Sequence, residues 1–391
     1  MGFRFVATLL LAAGTAFGQP GSPQFPVLSP GLAYTNYRVA SVPWSVHVVQ
    51  VERGNPLYGL HSVHADRRAV GLSLLSAQIA LLDPALGKPV AAINGDFYQR
   101  FKAYAGSPRG LQIAEGEVLG GPAGSVSFWI DAFGQPHADN VASQFQITWP
   151  DGQSTPFGMN GPRRSDGVEL YTPSVGASTR TIGGRELLLE RQASTPWLPL
   201  RIGRMYQARV REVRETGDTP LAPGTLVLSL GPAAKQRFSS VSTGAVLQVS
   251  TKTMPMLQGI KTAISGGPLL VRGGKPQKVR PSDAEGYEVS SMFERHPRSA
   301  IGWNRQRFFL VEVDGRQRGL SVGMTLEEFS TFLVKLGCDE AMNLDGGGSA
   351  TLWYKGQVRN RPCDGRERVI ANALVVIQRE PEAGTANASS K

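Results

Sequence analysis

Glycine and proline punctuate this chain densely, at 46 and 27 residues, which leaves room for short strands, many turns and few long helices. The 391 residues are enough to bury a sizeable core in one large domain or two fused lobes. A hydrophobic share of 41% against a charged share of 18% is that of a globular chain, not a disordered one.

Between the glycines and prolines several segments are readable. Trp44 to Val51 is β-rich, and Leu74 to Leu82 has helical character up to Pro84. Val90 to Ile93 runs apolar into Asn94-Gly95-Asp96-Phe97-Tyr98. Leu226 to Leu230 and Val246 to Ser250 read as strands. The firmest helix follows Thr325, which has Glu328 three residues on at capping-box spacing. Leu326, Phe329, Leu333 and Leu336 then trace one apolar face, and Gly337 supplies the stop. Strands are expected on either side, at Phe308 to Val313 and Ala341 to Leu344, with Ala350 to Tyr354 and Ala373 to Ile377 beyond the glycine turn. Strand, helix, strand, glycine turn, strand is an α+β pattern.

The first eighteen residues have the layout of a signal peptide: Arg4, an apolar run from Val6 to Ala13, and Ala16-Phe17-Gly18 before Gln19. An uncleaved N-terminal anchor is the alternative, and no later stretch is apolar for long enough to span a bilayer. Residues 19–33 read as a linker, 34–379 as the folded domain and 380–391 as a flexible tail. An exported chain, secreted or held in the periplasm or cell envelope, is the reading. The net charge of +10 favours anionic partners, but the basic residues are scattered and form no stripe with interleaved aromatics, so nucleic acid is not expected. Cys338 and Cys363, the two cysteines, are expected to pair as a disulfide in an exported chain, with buried free thiols as the alternative. Five histidines and no Cys-rich cluster argue against a zinc site, and no metal or other cofactor is expected.

The most specific stretch is Asn343-Leu344-Asp345-Gly346-Gly347-Gly348-Ser349. Its glycines permit positive φ angles, and backbone N–H groups from Gly346 to Ser349 can form an anion-binding nest. A glycine-rich hairpin is the plainer reading. The stretch lacks the Lys-Ser/Thr ending of a P-loop. Asp96, Asp314 and Asp345 each leave a strand beside a glycine, so their carboxylates can converge on one rim, although each also fits as a turn former. Two converging carboxyl groups suit glycosyl transfer to water. Ser265-Gly266-Gly267-Pro268 can add donors there, or mark a strand bulge. Arg298 carries a planar fork suited to a phosphodiester, with a surface ion pair as the alternative, and His296 is a candidate proton donor or a structural residue. Asn360 and Arg368 lie between the last strands and can add amide and cationic contacts.

Together, Asn94-Gly-Asp-Phe-Tyr, Ser265-Gly-Gly-Pro, His296-Pro-Arg, Val313-Asp-Gly-Arg, Asn343-Leu-Asp-Gly-Gly-Gly-Ser and Asn360-Arg-Pro resemble the phosphodiester glycosidase family. This is the family of the catalytic domain of the mannose-6-phosphate uncovering enzyme and of exported bacterial proteins. The resemblance spans about Trp44 to Ile377. It implies twisted mixed or antiparallel sheets with a few flanking helices, and hydrolysis of an N-acetylglucosamine-1-phosphodiester or a similar bond. The resulting expectation is a catalytic set of Asp96, Asp314 and Asp345. Substrate would be bound by Asn94, Ser265, Gly266, His296, Arg298, Gly346, Gly347, Gly348, Ser349, Asn360 and Arg368. The substrate would be an anionic glycan or sugar phosphodiester. The competing expectations are a non-catalytic binder of anionic cell-wall or exopolysaccharide and a metal-dependent phosphodiesterase.

Overall fold

A computed structural model of the chain describes residues 31–380, apart from 67–68, 101, 193–195 and 280–288. The expected signal peptide, the linker up to residue 30 and the tail beyond Glu380 lie outside the described residues.

The architecture is mainly β. Helices are few and short: α1 (Leu75–Ala80), α2 (Val289–Phe293) and α3 (Leu326–Leu336). The expected balance of α and β is therefore corrected toward β. Dense glycine and proline breaks suit strand turns better than further helices.

The described residues form four sheets. Ten strands position the site: β1 (Leu32–Val39), β2 (Trp44–Glu52), β3 (Tyr58–His64), β4 (Lys88–Asn94), β5 (Leu269–Arg272), β6 (Arg298–Trp303), β7 (Arg307–Val313), β8 (Glu340–Asn343), β9 (Leu352–Tyr354) and β10 (Asn372–Gln378). The first sheet runs β1-β2-β7-β6-β8-β5 and ends in Lys275–Pro276. The second runs from Gln357–Val358 through β9-β4-β10 to β3. An eight-stranded sheet is built wholly from strands between Ala142 and Met254, and a five-stranded sheet combines strands from Gln112 to Asn140 with Thr262–Ser265.

Period-two alternation divides the first sheet into two buried faces. Val46, Val48, Ala300, Val311 and Val313 pack toward Phe329 and Leu333 of α3. Val49, Val51, Ile301 and Leu310 face the second sheet, meeting Ile93, Leu352 and Leu374. Helix α3 forms as expected: Thr325 Oγ1 accepts from Glu328 N at 3.1 Å, a Glu328 carboxylate oxygen accepts from Thr325 N at 3.0 Å, and Gly337 caps the end in the left-handed region. Among the described residues no helix is long and apolar enough to cross a membrane.

Candidate active site

Because β7 and β8 both pair antiparallel with β6, they run the same way and end at one rim of the first sheet. The end of β4 is fastened to that rim by two bonds. Asp345 N donates to Gly95 O at 2.9 Å, and Asn94 Nδ2 donates to Asp345 O at 2.5 Å. Asn372 secures the other side of the turn: its side-chain oxygen accepts from Asp96 N at 2.7 Å and its carbonyl accepts from Gly95 N at 2.9 Å. Only glycine fits at position 95, because a Cβ there would overlap Asn372 and Ile264. Two segments about 250 residues apart in sequence thus bring Asp96 and Asp345 side by side.

A cleft of about 280 Å³ opens at this rim. Five arginines line it (Arg100, Arg109, Arg298, Arg316 and Arg368), and Asp345 is the single acidic side chain lining it among the described residues. Burial pushes the Asp345 carboxyl up to about 6, while the Ser349 hydroxyl, the Gly346 N–H, and Arg100 and Arg368 pull the other way. Asp96 lies just behind the lining, only 4% exposed. Burial lifts its carboxyl to about 8 against the N–H groups of Phe97 and Gly110, and the Asp345 charge raises it further. Two neighbouring carboxyl groups are thereby held in different protonation states near pH 7.

The glycine block acts differently from the expected nest. The N–H of Gly346 donates to Asp345 Oδ1 at 2.9 Å, that of Gly347 to Pro297 O at 2.9 Å and that of Ser349 to Gly346 O at 3.1 Å, so these donors are already engaged. What the glycines supply is room for cations. A Cβ on Gly348 would overlap the Arg368 guanidinium, and one on Gly347, whose φ is +60°, would press on Arg316 at 3.3 Å. Arg368 is held by Asp364, with Nη2 to Oδ2 at 2.7 Å. Arg316 Nη2 lies 3.1 Å from His296 Nδ1. Burial, then Arg316 and Arg298, depress the His296 pKa, which keeps the ring neutral near pH 7 and suited to accept that bond.

Of the expected substrate contacts, the cleft gathers His296, Arg298, Gly346, Gly347, Gly348 and Arg368, together with Gly267 and Pro268. Arg298 is more tightly engaged than a substrate clamp would be. Its Nε donates to Met324 O at 2.9 Å, and its Nη2 donates to Ser291 O and Glu294 O at 2.6 and 2.8 Å.

The remaining expectations are corrected. Asp314 reaches the same rim but not the cleft. Arg298 pairs with Val313 and shares its face, so the next residue, Asp314, turns to the opposite face, where its Oδ2 lies 2.9 Å from His47 Nε2. Asn94 is fully buried and holds Asp345 O, Ser299 Oγ and Thr351 N, which makes it a positioning residue. Ser265 is sealed in the five-stranded sheet with its hydroxyl 2.9 Å from Ser127 Oγ, and Gly266 packs under the Asn343 carbonyl. Ser349 is buried behind Asp345, and Asn360 braces the last turn through Leu352 N and Ala350 O. Both cysteines are free thiols: Cys338 is packed in the core under α3, whereas Cys363 donates to Asp364 Oδ1 at 3.6 Å. Sequence reading overlooked Arg100 and Arg109 as site residues. Their one signal was proximity to the Asn94–Tyr98 block.

A larger groove of about 890 Å³ lies elsewhere, lined by Arg53, Lys261, Arg305 and Arg379 among others. It is cationic too, but its acidic residues, Glu115 and Asp131, have carboxyls held below their usual range by His61 and by His137 and backbone N–H groups. It lacks the buried, split carboxyl pair of the cleft.

Residues 204–377 match the family model described as phosphodiester glycosidase. The SPbeta prophage-derived uncharacterized protein YomE of Bacillus subtilis (strain 168) is 30% identical over 120 residues, which cover 30% of this chain and 18% of that protein. The N-acetylglucosamine-1-phosphodiester alpha-N-acetylglucosaminidase of Bos taurus is 30% identical over 122 residues, 30% of this chain and 22% of that enzyme. The matched stretch thus spans about a fifth of the length of these relatives. A crystal structure of a hypothetical protein from Synechocystis superposes with a TM-score of 0.71 at 23% identity, covering 89% of this chain and 62% of that one, which is a likeness of fold. Asp345, its glycines and three of the five cleft arginines lie inside the stretch that matches the phosphodiester glycosidase family model.

Proposed function

We propose that this protein is an exported hydrolase that cleaves a sugar-1-phosphodiester, of the N-acetylglucosamine-1-phosphodiester kind, in extracytoplasmic glycans. The observation that carries the reading is the cleft itself: five guanidinium groups around one carboxylate, with a second carboxylic acid kept neutral beside it. Arginine forks bind phosphodiester oxygens in pairs, and their charge stabilises the phosphate as it departs from the anomeric carbon. Asp345, ionised above about pH 6, faces that carbon as nucleophile or as the base for water. Asp96 retains its proton to about pH 8, so it can donate a hydrogen bond or the proton itself without adding a negative charge beside an anionic substrate. Export rests on the N-terminal sequence pattern, and teichoic acids, exopolysaccharides or phosphodiester-linked wall glycans suit a chain of net charge +10.

The test is release of N-acetylglucosamine from an activated sugar phosphodiester by the purified chain. Asp345→Asn is expected to lower kcat by about a hundredfold or more. Full activity in both Asp345→Asn and Asp96→Asn would remove the role assignment. Saturable binding without turnover by the unaltered protein would leave only a glycan-binding module.

A further inference from the structure

On the inner face of the first sheet, next to the cleft but outside its lining, three ionisable side chains meet in the core. His47 on β2 pairs directly across from Glu312 on β7, and Asp314 follows two residues later on the same face. All three are buried, at 4%, 0% and 1% exposure, and one potential ligand atom from each lies within 4.8 Å of the others. Two of the three already have the outer partners that ligating residues need. Tyr34 Oη is 2.8 Å from His47 Nδ1, which directs Nε2 inward, and Arg361 N donates to Asp314 Oδ1 at 2.7 Å. Glu312 is different. Neither of its carboxylate oxygens has a hydrogen-bond partner, although both are sealed from solvent and the group is aimed into the cluster. The Asn360 amide lies near enough to act on the carboxyl as a donor, but it does not reach bonding geometry with either oxygen and donates instead to Ala350 O at 3.1 Å. A buried carboxylate without a partner is costly, and a cation among these three groups removes the cost.

We infer that His47 Nε2, Glu312 and Asp314 Oδ2 bind one divalent transition-metal ion, with Zn²⁺ the best match. One imidazole and two carboxylates suit Zn²⁺ or Mn²⁺, whereas Ca²⁺ takes six to eight oxygens. Ligands at about 2.1 Å from a metal stand roughly 3.0–3.4 Å from each other. His47 Nε2 and Asp314 Oδ2, now 2.9 Å apart, need only a small separation to admit the ion. The site is structural. Glu312 also pairs with Ser299 on β6, whose hydroxyl donates to Asn94 Oδ1, and Asn94 Nδ2 holds the Asp345 carbonyl. The ion thus anchors one end of a polar row that reaches the backbone of the cleft carboxylate.

The experiment uses the full chain, both as purified and refolded in the presence of ZnCl₂ or MnCl₂. Unbound metal is removed by gel filtration, and metal content and thermal unfolding are then measured. About one metal ion per chain and a higher Tm are expected. Glu312→Gln, an isostere that stays neutral in the core, should hold at least tenfold less metal and lose the Tm increment. Asp345→Asn, altered in the cleft alone, should retain both. Three outcomes overturn the proposal: less than a tenth of an equivalent of either metal in the unaltered chain, a full equivalent in Glu312→Gln, or loss of metal in Asp345→Asn. These readouts are independent of glycosidase activity, so the two readings fail separately.

Discussion

Asp96 and Asp345 are the same residue type and near enough that the charge of one raises the pKa of the other, yet burial acts on them unequally, and two expectations follow. If Asp345 works ionised and Asp96 works protonated, kcat/KM should follow a bell with limbs near pH 6 and pH 8. Asp96→Asn should erase the alkaline limb, and a limb that persists in that variant would assign it to another group. The second expectation concerns stability. Asp96 has a folded pKa of about 8 against a reference value of 3.8. Below pH 3.8 both folded and unfolded states hold the proton. Between there and pH 8 only the folded state does, so stability is lost as pH rises through that window. Denaturant midpoints should therefore favour Asp96→Asn over the unaltered chain more at pH 8.5 than at pH 5, and equal differences would show that Asp96 ionises normally. Residue chemistry also explains what sequence reading could not settle. That Asp314 leaves a strand beside a glycine is legible in the sequence. Which face it takes depends on β7 pairing with β2 and β6, and this is a long-range register that local pattern does not contain.

At the scale of elements, α3 and the glycine block do separate work. The α3 cap is local in origin, so Thr325, Glu328 and Gly337 were readable from spacing alone. Its consequence reaches the cleft, because the preceding Met324 carbonyl accepts from Arg298 and its backbone bridges His296. Thr325→Ala should cost about 1 kcal/mol in chemical denaturation, and no loss would mean that the cap contributes nothing beyond solvent. Gly348→Ala tests the turn. A methyl group there must displace Arg368 or Asp364, and a displacement of about 1 Å at a reacting centre can cost on the order of a hundredfold in rate. A fall in kcat/KM with an almost unchanged Tm is expected. An unaltered kcat/KM would show that Arg368 does not need its place against the glycine. The strands were legible wherever an apolar run ended at glycine or proline, as at Leu226–Leu230, whose observed bounds match the sequence reading. The nest was not legible in the same way. Glycines permit exposed N–H groups, but whether nearby carbonyls such as that of Pro297 claim them depends on the tertiary fold.

Across the whole molecule, the sequence conveyed a sheet-rich chain with few helices and carboxyl groups at strand ends, and the structure moves its α+β class to mainly β. Among the described residues the sheets join strands that are remote in sequence: β2 pairs with β7, and β4 pairs with β9 and β10. Such pairings leave no local trace, which is why the convergence of Asp96 with Asp345 could be expected from the motifs while the arginine ring around them could not. The free thiols of Cys338 and Cys363 teach the same lesson, since spacing along the chain does not measure distance across it. On the proposed reading the arginine-lined cleft, not the larger groove near Lys261 and Arg379, takes the phosphodiester. A crystal structure of Asp345→Asn with a bound N-acetylglucosamine-1-phosphodiester measures this most directly. The phosphate should lie among Arg100, Arg109, Arg316 and Arg368 with the anomeric carbon turned to position 345. Phosphate in the other groove, or a cleft that stays without sugar at saturating ligand, would contradict the account.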